Sequence, residues 1–415
     1  MTEPLVLLRA LHFAATLSAS GTVFFLALAM GPAAEAAAFA ALRRRLVRWV
    51  WLSLAVAVAT GAGWLVWLAS ELLGTSMAEA CLQGGAWSVL EGTRFGEVWS
   101  VRTALALVLA PLMIWPGTRW LQVACAAAFA ALPALVGHAG AGPGATGALQ
   151  AAADMLHLLA AAAWVGGLPA LVMMLVSGRP GGAPDLMAAT TARFSRLAIA
   201  SVAILLASGI ANSWNLLDGP GDLLATDYGR LVALKIGLFA AMLAIAAVNR
   251  FRLTPRLAHP QAMRALRRNS LAETGLGLCA LLLVGALGTI PPGAHRHPAG
   301  TAIPEGAAFV HIHASEAMAE LTLNPGQAGT THATIRVMHE DSSQFPAQDV
   351  RLELDPPAPD VPAIKRAAKR DADGTWRVDT IELQRPGVWI AKVTITPPAG
   401  TPLVLDAPIV IEPGP

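Results

Sequence analysis

Charge is scarce in this sequence. Asp, Glu, Lys and Arg make up 13% of its 415 residues, against about 25% in soluble globular proteins. A single water-soluble fold of this length would lack polar surface. Cysteine is nearly absent: the 3 present are Cys81, Cys125 and Cys279, with no Cys-x-x-Cys pair. That excludes a disulfide framework and the thiolate relay of soft-metal pumps. There is no Gly-x-x-x-x-Gly-Lys-Ser/Thr phosphate loop, and no soluble cytoplasmic segment large enough to hydrolyse ATP. Any transport is therefore gradient-driven or passive. Nothing points to an enzyme or to nucleic acid, and no internal repeat is evident.

What the sequence has instead is long apolar runs, and 55% of its residues are hydrophobic. A bilayer core about 30 Å thick needs roughly 20 apolar helical residues. Eight stretches qualify: Leu5 to Met30, Val47 to Leu73, Val98 to Trp115, Trp120 to Val136, Leu149 to Val176, Phe194 to Leu217, Gly229 to Val248 and Leu271 to Ile290. The third and fourth are divided by Pro116, Gly117, Thr118 and Arg119, residues suited to a helical hairpin. Loops after helices one, three, five and seven hold Arg43, Arg44, Arg45, Arg48, Arg119, Arg179, Arg193, Arg250, Arg252, Arg256, Arg264, Arg267 and Arg268. Cytoplasmic loops collect such residues, so both termini are expected outside. Met1 to Leu5 carries no basic residue and helix one lacks a cleavage pattern, so no removable signal peptide is expected.

After a Gly-, Pro- and Ala-rich linker over residues 291–306 the period changes. Phe309 to Ala314, Ala319 to Leu323, Thr331 to Met338, Val350 to Leu354, Thr375 to Leu383, Gly387 to Ile395 and Leu403 to Ile411 alternate as strands do, and turn residues such as Asp373-Gly374 bound them. The expected fold is thus an all-α polytopic membrane bundle of eight transmembrane helices over residues 1–290, then a small all-β immunoglobulin-like sandwich over 307–415.

Polar residues inside a membrane are costly and mark function by default. With outside-facing starts near Leu5 and Gln150, His12 and His157 each lie seven residues into their helix, hence at one depth below the outer surface. Asp154 precedes His157 by three residues on the same face, and His138 closes helix four at that surface. Taken singly, each histidine is equally well explained by a bond to a backbone carbonyl. Two at matched depth beside a carboxylate point to one shared metal ion, and imidazole suits copper. They could equally clamp a b-type haem. In the tail, His311 and His313 alternate along one strand and so face the same way, with Met318 and Met338 near in sequence.

These residues carry a resemblance. Arg9-Ala-Leu-His12-Phe, Phe95-Gly-Glu-Val-Trp99, His157-Leu-Leu-Ala-Ala-Ala-Ala-Trp164-Val-Gly-Gly167, Tyr228-Gly-Arg230-Leu with Lys235, and Asn249-Arg250 resemble the copper-resistance D (CopD) membrane family across all eight helices. The tail, through Asp373-Gly-Thr-Trp376 and Arg385-Pro-Gly-Val-Trp389, is similar to the YtkA-like extracytoplasmic β domain of some members. The resemblance implies copper movement across the cell inner membrane, usually import, with His12 and His157 as the leading ligand positions; Asp154, His138, His311 and His313 are further metal candidates by their placement in the sequence alone. Copper ion would be the cargo, with no tightly bound organic cofactor. Membrane lipids and a periplasmic copper carrier would be its partners. A haem protein, or a non-transporting assembly or sensing protein docking partners through its β domain, are the alternatives.

Overall fold

The computed structural model describes residues 3–73, 75–82, 84–115, 117–136, 144–177, 184–216, 221–290, 304, 306–313, 317–339, 343–356 and 361–414. By its contacts the chain divides into two compact units, Met1–Trp67 with Trp87–Arg296, and Leu68–Ala86 with His297–Pro415.

Eight helices build the first part: α1 (Glu3–Phe24), α2 (Ala40–Leu73), α3 (Arg94–Leu112), α4 (Arg119–Ala131), α5 (Gly144–Ala161), α6 (Pro184–Leu216), α7 (Asp227–Val248) and α8 (Pro260–Leu287). Seven spans are long and apolar enough to cross a membrane, and Arg119–Leu135 is a shorter apolar one. α2, α6 and α8 begin well before the apolar runs that announce them. Their first turns carry charged residues such as Arg43 to Arg45 and Arg264 to Arg268, which an apolar count passes over although they are helical.

The hairpin between α3 and α4 forms as the sequence predicts. Gly117 takes φ +87°, a region glycine enters without strain. The Thr118 hydroxyl donates to the carbonyls of Leu112 and Trp115, and the Gln122 amide donates to Leu112 O at 2.8 Å. Carbonyls freed at the end of α3 are thus satisfied by the start of α4.

Two helices form the centre. In α1 and α5, 78% and 67% of the most apolar window is buried, against 6% to 39% in the other five long spans. Both convert to π-helix, α1 over Phe25–Met30 and α5 over Ala162–Gly166 before continuing as Leu168–Val176. Trp164, Phe25, Phe39, Phe129, Met30 and Met174 fill the core around them.

The C-terminal part is two antiparallel sheets. Its strands are β1 (Ala308–His313), β2 (Met318–Asn324), β3 (Gly329–Met338), β4 (Asp349–Asp355), β5 (Ile364–Ala367), β6 (Lys369–Arg370), β7 (Trp376–Leu383), β8 (Gly387–Thr396) and β9 (Leu403–Ile411). One sheet runs β1-β2-β3-β7-β6 and the other β5-β4-β8-β9. All seven expected strands are present. β5 and β6 are additional, short and mostly exposed, so they lack the alternation that reveals a half-buried strand. At the turn into β7, Asp373 Oδ1 accepts from the Thr375 N–H and hydroxyl, bonds that hold its carboxyl below the ordinary value.

Trp389 is fully buried between the sheets and its indole N–H donates to Arg385 O at 3.1 Å. Replacing it with Ala removes the largest side chain of that core. Urea unfolding of a fragment spanning residues 304–415 should show a loss of about 3–5 kcal/mol. An unchanged midpoint would mean that the packing described for this tryptophan is wrong.

Candidate functional site

His12 is 3% exposed, and both ring nitrogens are engaged. Nε2 lies 2.6 Å from a terminal nitrogen of Arg102. A guanidinium only donates, so Nε2 is the acceptor and Nδ1 carries the proton. Nδ1–H faces Ala57 O at 3.0 Å and Thr60 Oγ1 at 3.2 Å. Arg102 is itself locked: Nε donates to Phe129 O at 3.1 Å, the other terminal nitrogen to Thr16 Oγ1 at 2.8 Å, and the guanidinium lies over the Phe129 ring at 4.6 Å. Gly61 makes the close fit possible, since a Cβ there would collide with the Trp99 indole and press on His12 Cε1. A metal ion needs the same Nε2 lone pair that Arg102 occupies.

His157 is held differently. Nδ1 lies 2.9 Å from Ser208 Oγ, and Ser208 spends its own proton on Ile204 O at 2.6 Å. The hydroxyl therefore accepts, Nδ1 is the protonated nitrogen, and Nε2 presents a lone pair to which no hydrogen bond is made among the described residues. An imidazole steadied through one nitrogen and open at the other is the arrangement metal-ligating histidines adopt. One turn earlier, Asp154 accepts from the Asn212 amide and lies within electrostatic reach of Lys235 and Tyr228. Asp154 and His157 are both partly buried.

The two histidines do lie at matched levels. A Cβ at Gly21 would collide with the Ala162 carbonyl oxygen, and one at Gly166 with that of Leu17, so α1 and α5 touch backbone to backbone, in parallel. Each glycine stands nine residues after its histidine. Nine residues is two and a half α-helical turns, which turns the His12 ring to the side of α1 away from the contact; in α5 the same nine residues include the π-helical Ala162–Gly166, so the rotation there is smaller. The expectation of one ion or one haem clamped between them is not what this geometry arranges. Each ring meets its own set of helices, His12 with α2 and α3, His157 with α6 and α7.

That equivalence exposes an internal repeat, which corrects the reading of the sequence as unrepeated. Thr93 caps α3 by accepting from Gly96 N at 3.1 Å; Thr226 caps α7 by accepting from Gly229 N at 2.8 Å. An aromatic residue precedes each glycine, Phe95 and Tyr228, and a cation lies nine residues beyond each cap, Arg102 and Lys235. A short helix precedes both caps, Gly85–Gly92 and Asp222–Ala225. Thr60 and Ser208 play the same part, each donating to the carbonyl four residues back while facing the imidazole. The signal is the pattern Thr-x-[Phe/Tyr]-Gly-x-x-x-x-x-[Arg/Lys], short enough to stay hidden among apolar residues.

The repeats differ in charge. Arg9 stands three residues before His12, stacked on Trp64 at 4.6 Å and donating to Gly288 O at 2.5 Å. Asp154 holds that place before His157. The first pocket thus carries two guanidinium groups and the second a carboxylate beside an ammonium. Only the second suits a cation.

Of the other candidates, His138 lies outside the described residues. His311 pairs with Glu320 across β1 and β2, Nδ1 to Oε1 3.5 Å. His313 ends β1 opposite Met318, which in turn pairs with Met338; the His313 side chain lies outside the description. Cys81, Cys125 and Cys279 are unpaired thiols. Among the described residues no group of three or more His, Cys, Asp or Glu is gathered.

Comparison with known proteins now bears on these features. Residues 1–148 match the copper resistance protein D-like N-terminal domain and residues 188–287 match copper resistance protein D. Inner membrane protein YebZ of Escherichia coli (strain K12) is 33% identical over 230 residues, 53% of this chain and 77% of that protein. Copper resistance protein D of Pseudomonas syringae pv. tomato is 31% identical over 220 residues, 48% of this chain and 69% of that protein. The chain belongs to the copper resistance protein D family. In this member of the copper resistance protein D family the first match ends at residue 148, near the start of α5, so it coincides with the first repeat. The copper transport protein CutJ of Bacillus subtilis (strain 168) is 31% identical over 212 residues, 48% of this chain but only 37% of its own length. No solved structure matches.

The glycine contact yields a direct test. Gly166→Ala puts a methyl group into the Leu17 carbonyl, whereas Gly237 and Gly275 have open space around a built Cβ. Gly166→Ala should lower the thermal stability of the detergent-purified protein by at least about 1–3 kcal/mol, with Gly237→Ala and Gly275→Ala neutral or better. Equal behaviour of all three would contradict the backbone contact.

Proposed function

We propose that this protein carries copper ions across the cytoplasmic membrane, with the second repeat holding the ion in transit. The observation that supports it most is the contrast between the open Nε2 of His157 beside Asp154 and the Nε2 of His12 closed by Arg102. Imidazole is a good ligand for copper, and a carboxylate one turn away draws a cation into an otherwise apolar setting. Two protein donors suit an ion that must leave again better than one that is stored. His12 acts in this reading as the structural twin, joined to Arg102 where the second repeat would accept an ion.

Orientation follows from the arginines. They place the loops after α1, α3, α5 and α7 in the cytoplasm, so His157 and Asp154 sit near the extracytoplasmic end and the β domain lies outside. His138, at the end of the α4 segment, would be the first imidazole at that surface. His311 and His313 would offer a contact for copper, or for a copper-carrier protein, before entry. The relatives named for copper transport and copper resistance support a role in handling copper; import is the direction proposed here.

The test is copper retained by the purified full-length protein, with its visible spectrum to report any haem. His157→Ala should abolish binding without loss of fold. Asp154→Asn should weaken it about 10- to 100-fold, as losses of supporting groups do. His12→Ala should act on stability first, by about 1.5–3 kcal/mol, since Arg102 loses a buried acceptor. Wild-type copper binding by His157→Ala would remove this site, and haem absorbance would favour the other cofactor class.

A further inference from the structure

A second polar site lies at the other end of the bundle, where α7 meets α8. Glu273 on α8 is 2% exposed. Its Oε2 accepts from the Asn249 amide at 2.8 Å, while Oε1 is buried without a hydrogen-bond partner. Ser270, one turn earlier on the same face, is fully buried and its hydroxyl also lacks a partner. Asn249 is held in turn, its carbonyl oxygen accepting from Asn269 at 2.9 Å. It opens the π-helical turn Asn249–Leu253, a distortion that favours functional positions. Glu273 and Ser270 line a cavity of about 200 Å³ together with Trp164, Thr191, Ser195 and Arg250.

We infer that Glu273 is a proton-binding site, loaded and unloaded through this cavity. An ionised carboxylate in an apolar interior needs several donors to offset its lost hydration, and here it has one. The neutral acid needs only one acceptor for its O–H. A water in the cavity meets that need, because Ser270, Thr191 and Ser195 add hydroxyls to its otherwise apolar lining. The donors present are all oxygen and amide, which does not suit copper(I). A hard metal ion would need six or more oxygens, and Glu273 offers one free oxygen beside one hydroxyl. Arg250 is the charged neighbour lining the cavity and opposes metal-ion entry without bonding the carboxylate. Protonation changes the charge of the site by one and breaks no bond other than that to the proton.

This goes beyond the copper reading and rests on it in one respect only, the coupling of the two ions. If copper moves inward or outward without ATP, a titrating carboxyl where α7 meets α8 gives a proton gradient a place to act. Glu273 and His157 belong to different ends of the same repeat, so the proton site can fail while the copper site stands.

The experiment is infrared difference spectroscopy of the full-length protein in lipid nanodiscs, titrated with pH in sodium and in choline buffers. The difference between wild type and Glu273→Gln should contain one carboxylic C=O stretching component that appears as pH falls, at the same midpoint in both buffers. Asn249→Ala removes the one bond that favours the ionised form and should move the midpoint to higher pH. It also gives a readout if Glu273→Gln fails to fold. Copper retained by Glu273→Gln should equal wild type, while copper accumulation in vesicles loses its pH dependence. Absence of that component, or a midpoint that moves with sodium, would overturn the assignment. Loss of copper binding in the wild type would sink the copper reading and leave the infrared result untouched.

Discussion

The arrangement of the bundle depends on one close approach, the parallel contact of α1 and α5 at Gly21 and Gly166. Neither position tolerates a side chain, because the facing atoms are backbone. Without a hydrophobic drive between helices in lipid, such small-residue contacts supply van der Waals packing that larger residues prevent. It relates the levels of His12 and His157, and their rings bond separate partners, Ala57, Thr60 and Arg102 for one and Ser208 for the other.

From that shared frame the two repeats diverge through a few residues. Arg102 reaches the imidazole of His12 and uses its free lone pair; Lys235 occupies the equivalent place, and among the described residues no hydrogen bond joins it to His157. An arginine spreads five donors over a rigid plane, whereas a lysine presents one compact ammonium on a flexible stem. The exchange of Arg9 for Asp154 reverses the charge one turn away. One pocket has become a closed brace between α1 and α3, and the other has kept an unoccupied nitrogen and a carboxylate.

Much of the fold was legible because membranes impose length and polarity so strictly. The apolar runs located the eight main helices of the bundle but not the short ones at Gly85–Gly92 and Asp222–Ala225, and alternation located the seven longer strands. Boundaries failed where helices such as α8 continue through arginines into water, and β5 and β6 were missed because they are short and exposed. The matched level of His12 and His157 was legible from counting alone. Their separation was not, since facing depends on which side of α1 meets α5, and glycine spacing reveals that only once the contact is seen. Arg102 passed without notice as a lone charge inside the third apolar run, although Lys235 stands in the matching place of the seventh. Glu273 escaped because its partner Asn249 lies on another helix.

The central claim is that one histidine of the symmetric pair is available to copper. X-ray absorption at the copper edge of the full-length protein, loaded with one equivalent of copper, counts the imidazoles around the ion directly. The account predicts a single imidazole from the membrane bundle, lost in His157→Ala and kept when Arg102 and His12 are left intact. Two imidazoles per copper that both vanish with His12→Ala would show that the rings meet on one ion and would contradict the separation described here.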